Sequence, residues 1–339
     1  MPSFRNDYSY LAHPRVLEAL KRYSEEEQVV YGLDKHSMNA ASYIKKVFNS
    51  PNGEVFFLAG GTQTNMVFIT SCLRHFEGVI SCDTGHINVH ESACIEGNGN
   101  KIITVKNKNG KLTPADIDNV MRLAHDEHMV KPKLVYISDS TELGTIYSKQ
   151  ELLDLRECTK KHDLYFFIDG ARIGAALASL ENDIKPSLIG EVCDAFYVGG
   201  TKNGCLFGEA LVVNNKDLQK DFRRHIKNKG AMLAKGFSVG IQFEEMFKDG
   251  LYFELAKNTN LAAEELKHVL IQYYKKVSNS PTNQVFVTVN KETAKKLISK
   301  FSLELWEEFD DEMTVRFVTS FMTTLEDVEE VDKYLRSIQ

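Results

Sequence analysis

The sequence predicts an α/β fold, with a mainly parallel seven-stranded sheet and a smaller carboxyl-terminal α/β domain. Three observations carry that expectation. Short apolar runs alternate with helical patterns from residue 54 to about residue 213, the arrangement of a parallel sheet covered on both faces. Beyond Lys235 the order changes: a long helical stretch precedes a strand, a helix, two β-like segments and a last helix. The chain has 339 residues, more than one core usually accommodates, so a large and a small domain are expected.

The strands of the large sheet are expected near residues 54–58, 78–81, 101–105, 133–138, 164–168, 195–198 and 209–213. The helices between them have recognisable starts. In LTPADIDNVMRLAHDEH, Thr113 can cap, Pro114 fits the first turn and Asp116 places negative charge there. YSKQELLDLRECTKKH repeats the device, with Ser148 as cap and Glu151 at the capping-box position. In the second part a strand is expected at 285–289, a helix at 292–301 and β-like segments around Trp306 and Arg316. Only seven prolines and no glycine–serine linker occur, so the parts should be rigidly joined. The expected division is 1–245 for the large domain, amino-terminal arm included, and 246–339 for the small one.

Composition excludes several classes of function. Apolar residues make up 43% and charged residues 26%, as in a globular protein with a substantial core. A net charge of −6 without a basic block argues against nucleic-acid binding. No apolar stretch approaches the roughly 20 residues of a membrane span, and MPSFRNDYSY has no hydrophobic signal core. The six cysteines, Cys72, Cys82, Cys94, Cys158, Cys193 and Cys205, lack a C-x-x-C spacing. Reduced thiols in a cytoplasmic protein are expected, with no metal or disulfide role.

Two peptides place one ionisable residue each just past the carboxyl end of an expected strand: YFFIDGAR, with Asp169, and AFYVGGTKNG, with Lys202. Open α/β sheets gather their ligands there. Taken singly, these residues read equally well as a helix-capping aspartate and a surface lysine. Together they suit a cofactor with an aldehyde and a ring nitrogen, pyridoxal 5′-phosphate (PLP). Lysine would form the Schiff base and aspartate would keep the pyridine nitrogen protonated. A third element, VFFLAGGTQTN, runs a strand through Gly60 and Gly61 into Thr62, Gln63 and a helix. Such a junction offers free N–H groups and a helix dipole to an anion such as phosphate. It matches neither a dinucleotide fingerprint nor a Walker loop.

The string DTGHINVHESAC sets His86 and His90 one helical turn apart, with Glu91 adjacent. The order differs from H-E-x-x-H and no third ligand follows nearby, so zinc is not expected. An imidazole stacked on a cofactor ring suits His86, while His90 reads as an ordinary helix-start residue. Arg172, three residues past Asp169, and Arg316, in MTVRFVTSF, could grip a substrate carboxylate bidentately or form structural salt bridges.

Nearly the whole chain resembles the low-specificity L-threonine aldolases and related β-eliminating lyases, PLP-dependent enzymes with the fold of aspartate aminotransferase (fold type I). The resemblance is carried by FRNDYSYLAHPRVLEAL, VVYGLDKHS, FFLAGGTQTN, DTGHINVHESACIEG, VYISDSTELGTIYSKQEL, FFIDGARIGAAL, YVGGTKNGCLFGEA, GAMLAKGF and VRFVTSF. It implies Lys202 as the Schiff-base lysine, Asp169 on the pyridine nitrogen and His86 on the ring. It also implies phosphate binding by Gly61, Thr62 and Gln63, and carboxylate binding by Arg172 and Arg316. Sites in this family lie between subunits, so Tyr31 and Lys235 are expected to serve a neighbouring chain in a homodimer or homotetramer.

The chain departs from the family at two places. Many relatives have an asparagine-threonine-histidine string where this chain reads DSTELGT, with Glu142 in the apparent place of the histidine. A carboxylate can act as the base for a substrate hydroxyl if burial raises its pKa. Asn6 stands where a serine is common, and can still donate a hydrogen bond to a carboxylate. The expected reaction is aldol cleavage of a β-hydroxy-α-amino acid, threonine or allo-threonine, to glycine and an aldehyde. The alternatives are β-elimination or other PLP chemistry on an amino acid, and a non-catalytic PLP-binding homologue.

Overall fold

A computed structural model describes residues 2–338. Ten strands form two sheets: β1 (Glu54–Leu58), β2 (Glu77–Cys82), β3 (Lys101–Val105), β4 (Lys131–Ser138), β5 (Tyr165–Asp169), β6 (Ala195–Gly199) and β7 (Glu209–Val213) in the large one, and β8 (Gln284–Asn290), β9 (Glu304–Glu308) and β10 (Glu312–Val318) in the small one. The large sheet has the order β1-β7-β6-β5-β4-β2-β3. All its pairings are parallel except those of β7, which runs against both β1 and β6. The small sheet, β8-β10-β9, is antiparallel.

Side chains alternate across each strand, and both faces of the large sheet are buried. Phe166, Ile168, Phe196 and Val198 enter one core, while Phe167, Ala195 and Tyr197 enter the other. This explains why the strands read as continuous apolar runs. Helices cover both faces, and two begin with complete capping boxes, Thr113 with Asp116 and Ser148 with Glu151.

The helical region after Lys235 is two helices, Phe237–Lys248 and Leu251–Tyr273, broken at Gly250, whose φ of +78° is left-handed. The expected domain limit at 245/246 falls inside the first of them. The amino-terminal arm also packs differently from expectation. Phe4 is fully buried in the small core against Phe301 and Phe317. Its backbone pairs with Phe301 and Val318, so the arm ties the small domain down. Among the described residues no helix is long and apolar enough to cross a membrane.

Candidate active site

Five chain segments meet at one edge of the large sheet. The parallel strands β4, β5 and β6 end there, β1 runs out into Gly60 and Gly61, and β7 starts there. The register fixes the arrangement: Ser138 lies opposite Asp169, and Glu209 lies between Leu58 and Gly199. A cavity of about 280 Å³ opens at this edge, lined among others by Gly61, Thr62, His86, Glu142, Asp169, Arg172 and Lys202.

Asp169 is 3% exposed. Its Oδ2 accepts from Asn65 Nδ2 at 2.9 Å and Tyr136 OH at 2.6 Å, and its Oδ1 accepts the Ala171 N–H at 3.0 Å. Burial alone would raise this carboxyl. The positive charge that His86 carries when protonated, and hydrogen bonds from Tyr136, Tyr197 and Asn65, outweigh it and hold the group below its ordinary range. An ionised carboxylate in a dry pocket fits a ring nitrogen that must stay protonated.

Lys202 lies on a short 3-10 turn, Thr201–Asn203, directly after β6. Burial, then the Arg172 cation, pushes its amine below the usual lysine value. A lowered amine pKa increases the neutral fraction, the form that attacks a carbonyl. Its Nζ sits 5.9 Å from the centre of the Tyr8 ring.

The helix Gly61–Cys72 starts at the cavity without a side-chain cap, leaving its first N–H groups open to an anion. Thr62 is exposed in the cavity wall. A Cβ on Gly61 would come within 2.9 Å of Tyr197 OH, so only glycine lets this turn approach that closely. Gln63, expected in the same cluster, instead turns its Oε1 back to the Ala59 N–H at 3.1 Å.

His86 Nδ1 lies 2.7 Å from Glu91 Oε1, and Asn65 Nδ2 donates to the same oxygen at 2.8 Å. A carboxylate only accepts, so Nδ1 carries the proton and Nε2 is left free. Glu142 Oε1 accepts from Ser138 Oγ at 2.6 Å and from the backbone N–H of His86 at 2.9 Å. Burial raises its carboxyl above the ordinary glutamate range.

The other expected residues are placed differently. Arg172 is paired bidentately with Asp7, Nε to Oδ2 at 2.7 Å and Nη2 to Oδ1 at 3.1 Å. Asn283 also donates to Asp7. Arg316 leans over Trp306, 5.0 Å from the ring centre, and is held by Gln284 and Glu304, with its buried Nε unpartnered. It does not line the cavity of this chain. Asn6 Oδ1 accepts from Tyr8 N and Ser9 Oγ, shaping the arm. Tyr31 and Lys235 lie together on another surface, where Tyr31 N–H donates to Ala234 O at 2.9 Å. His90 is exposed and stacks toward Trp306. The one cluster of potential metal ligands found among the described residues, Asp118, Cys158 and His162, lies elsewhere, and Lys161 and His162 already bind its carboxylate.

Sequence reasoning missed Glu91, Asn65, Tyr136, Asp7 and Glu209. Only Glu91 had a signal, because it follows His86 within the inspected string, and there it was weighed as a metal ligand.

A half-buried lysine, an ionised buried aspartate and an anion-binding helix start, all at the carboxyl edge of such a sheet, define a PLP enzyme of fold type I. The family model described as "Beta-eliminating lyase" matches residues 12–292, and the chain belongs to that family of PLP-dependent lyases. It is 28% identical over 331 residues to a low-specificity L-threonine aldolase of Pseudomonas aeruginosa, covering 96% of this chain and 94% of that one. A solved structure of a Leishmania major threonine aldolase superposes with a TM-score of 0.97 at 39% identity, covering 100% and 99% of the two chains. Aspartate aminotransferase from Thermus thermophilus shares the fold, with a TM-score of 0.73 at 13% identity over 99% and 90%.

Proposed function

We propose that the protein cleaves the Cα–Cβ bond of a β-hydroxy-α-amino acid, threonine or allo-threonine, to glycine and an aldehyde. The observation that carries this reading is Glu142. Its buried carboxyl, raised by desolvation, faces the same cavity as Lys202 and Asp169, where a base for a substrate hydroxyl is needed. When bound, PLP supplies an electron sink for the broken bond.

The chain's residues divide the remaining work. Lys202 would hold the cofactor covalently. Asp169 would keep the ring nitrogen protonated. His86, fixed by Glu91, would cover the ring with Nε2 available for a proton. Gly61 and Thr62, with Gln63 bracing the turn, would hold the phosphate. Arg316 and Asn6 are proposed to assist at the substrate carboxylate although neither lines this chain's own cavity, and Arg172, which does, would orient that carboxylate. Arg172 would do so while sharing its charge with Asp7.

Tyr31 and Lys235 complete the cavity of a second copy in a homodimer or homotetramer. Their position together, away from this chain's own cavity, supports that role. In the proposed division into a large domain, 1–245, and a small one, 246–339, Arg316 belongs to the small domain, on β10. All six cysteines are free thiols, which supports a reducing, cytoplasmic setting.

The test is the visible absorbance of PLP-loaded protein together with turnover. Lys202→Ala should lose the lysine-bound band and all activity. Glu142→Gln should keep the band and lose roughly 10²–10⁴-fold in kcat. Unchanged kcat in Glu142→Gln would remove Glu142 as the base.

A further inference from the structure

Glu209, the first residue of β7, has no part in the scheme above, yet it lines the same cavity and is only 4% exposed. Its two oxygens hold the turn that carries Lys202. Oε2 accepts the Gly200 N–H at 2.9 Å, and Oε1 accepts the Thr201 hydroxyl at 2.8 Å. Thr201 Oγ1 in turn accepts the Gly208 N–H at 3.0 Å. Strand pairing places Glu209 beside Leu58, the last residue before the segment that leads into Gly60, Gly61 and Thr62. The carboxyl therefore stands between the lysine-bearing turn and the anion-binding turn.

A phosphate bound at the start of the Gly61–Cys72 helix would be a second anion near the Glu209 carboxylate; two anions that share a cavity repel each other, and the weaker acid takes up a proton. The hydroxyl of Thr201 then has a second use. While Glu209 is ionised, that hydroxyl must donate to it. Once Glu209 is protonated, its own O–H can donate to Thr201 Oγ1, and the Thr201 proton is free to turn toward an anion in the cavity.

We propose that Glu209 takes up a proton when a phosphate-bearing ligand enters the cavity, and that this proton switches the Thr201 hydroxyl from Glu209 to the phosphate. The proton comes from solvent, and Glu209 goes from carboxylate to carboxylic acid; the bond of Lys202 to a PLP ligand is a separate event common to the wild type and Glu209→Gln. The inference rests on the reading of the cavity as a PLP site. Burial, opposed by Thr201, the Gly200 N–H and Lys202, pushes the Glu209 carboxyl up to about 8, so it titrates in an accessible range. The titratable groups around it are Lys202 on the turn, Asp169 at the end of β5, Tyr197 on β6, Cys205 after the turn and Tyr252 on the helix Leu251–Tyr273. Of these, Lys202 favours the ionised form of Glu209 and Asp169 opposes it.

The experiment is a PLP titration of cofactor-free protein between pH 7 and pH 9, followed by protein fluorescence, for the wild type and Glu209→Gln. The glutamine keeps the shape and is neutral at every pH. Wild-type affinity should fall relative to Glu209→Gln by about tenfold across that range, the linkage of one proton. A second measurement needs no variant: an infrared difference spectrum at pH 9 should show a carboxylate signal replaced by a protonated carboxyl on binding. Parallel pH profiles in the two proteins, or an infrared spectrum without a new protonated carboxyl, would overturn the proposal while leaving the PLP site intact. Failure of the wild type to bind PLP at any pH would overturn both readings.

Discussion

Glu142 and His86 are joined at two levels, through the backbone N–H of His86 and through the cavity they share. The chain thereby arranges a carboxyl whose proton affinity is raised next to an imidazole whose tautomer is fixed by Glu91. Glu91→Gln would present an amide to Nδ1 and loosen that choice. It should lower kcat and shift the acid limb of the pH profile, while melting temperature changes little. A wild-type profile in that variant would reduce Glu91 to packing. Asp139 gives a separate test at this scale. It is 1% exposed, its Oδ2 has no partner, and burial pushes its carboxyl to about 7. A carboxyl raised in the folded state stabilises the fold fully below its unfolded pKa and loses that contribution as pH rises through the folded value. Cofactor-free protein should therefore lose stability between pH 6 and pH 8, and Asp139→Asn should recover about 1 kcal/mol of that loss. Thermal melts at the two pH values decide it. Asp169 and Lys202 could be singled out in the sequence because strand ends expose single ionisable residues beside apolar runs, and His86 because it stands one helical turn from His90 in DTGHINVHESAC. Asp7 could not, since Arg172 and Asn283 lie far along the chain; Glu91 and Glu209 could not because, although His86, Gly200 and Thr201 are near them in sequence, no local pattern says which way their carboxylates turn.

At the scale of elements, the strands were legible because both faces of the large sheet are buried, so each strand is a continuous apolar run. Capping boxes at Thr113 and Ser148 marked two helix starts equally well. The break at Gly250 was harder to see, because apolar periodicity runs across it and only the left-handed backbone ends the first helix. The antiparallel course of β7 was also invisible, since orientation leaves no trace in a five-residue run. Close approach of β5 and β6 supplies a prediction. A Cβ on Gly170 would lie 1.9 Å from the Tyr197 carbonyl oxygen, whereas one on Gly60 meets nothing within 4 Å. Gly170→Ala should cost about 1–3 kcal/mol and displace Asp169, lowering PLP affinity. Gly60→Ala should melt with the wild type. Equal melting temperatures for the two variants would contradict the described packing.

For the whole molecule, length and the change in element order lead to the expectation of a large and a small part, and the structure has a seven-stranded and a three-stranded sheet. That the amino-terminal arm anchors the small domain through Phe4 did not follow from the sequence, because one phenylalanine near a terminus has no periodic context. The proposed assembly has its own test. Val29, Val30, Leu33 and Met38 are exposed near Tyr31, as expected of a surface covered by a second copy. Lys202→Ala and Tyr31→Ala subunits, each inactive alone, should regain roughly a quarter of wild-type activity when unfolded together, mixed and refolded as statistical dimers. No recovery would place Tyr31 outside the neighbour's cavity. The central claim concerns which bond breaks, and nuclear magnetic resonance of uniformly carbon-13-labelled L-threonine or L-allo-threonine incubated with PLP-loaded protein reads it directly. Equimolar glycine and acetaldehyde, absent with Lys202→Ala, is the predicted result; 2-oxobutanoate and ammonia without glycine would contradict it.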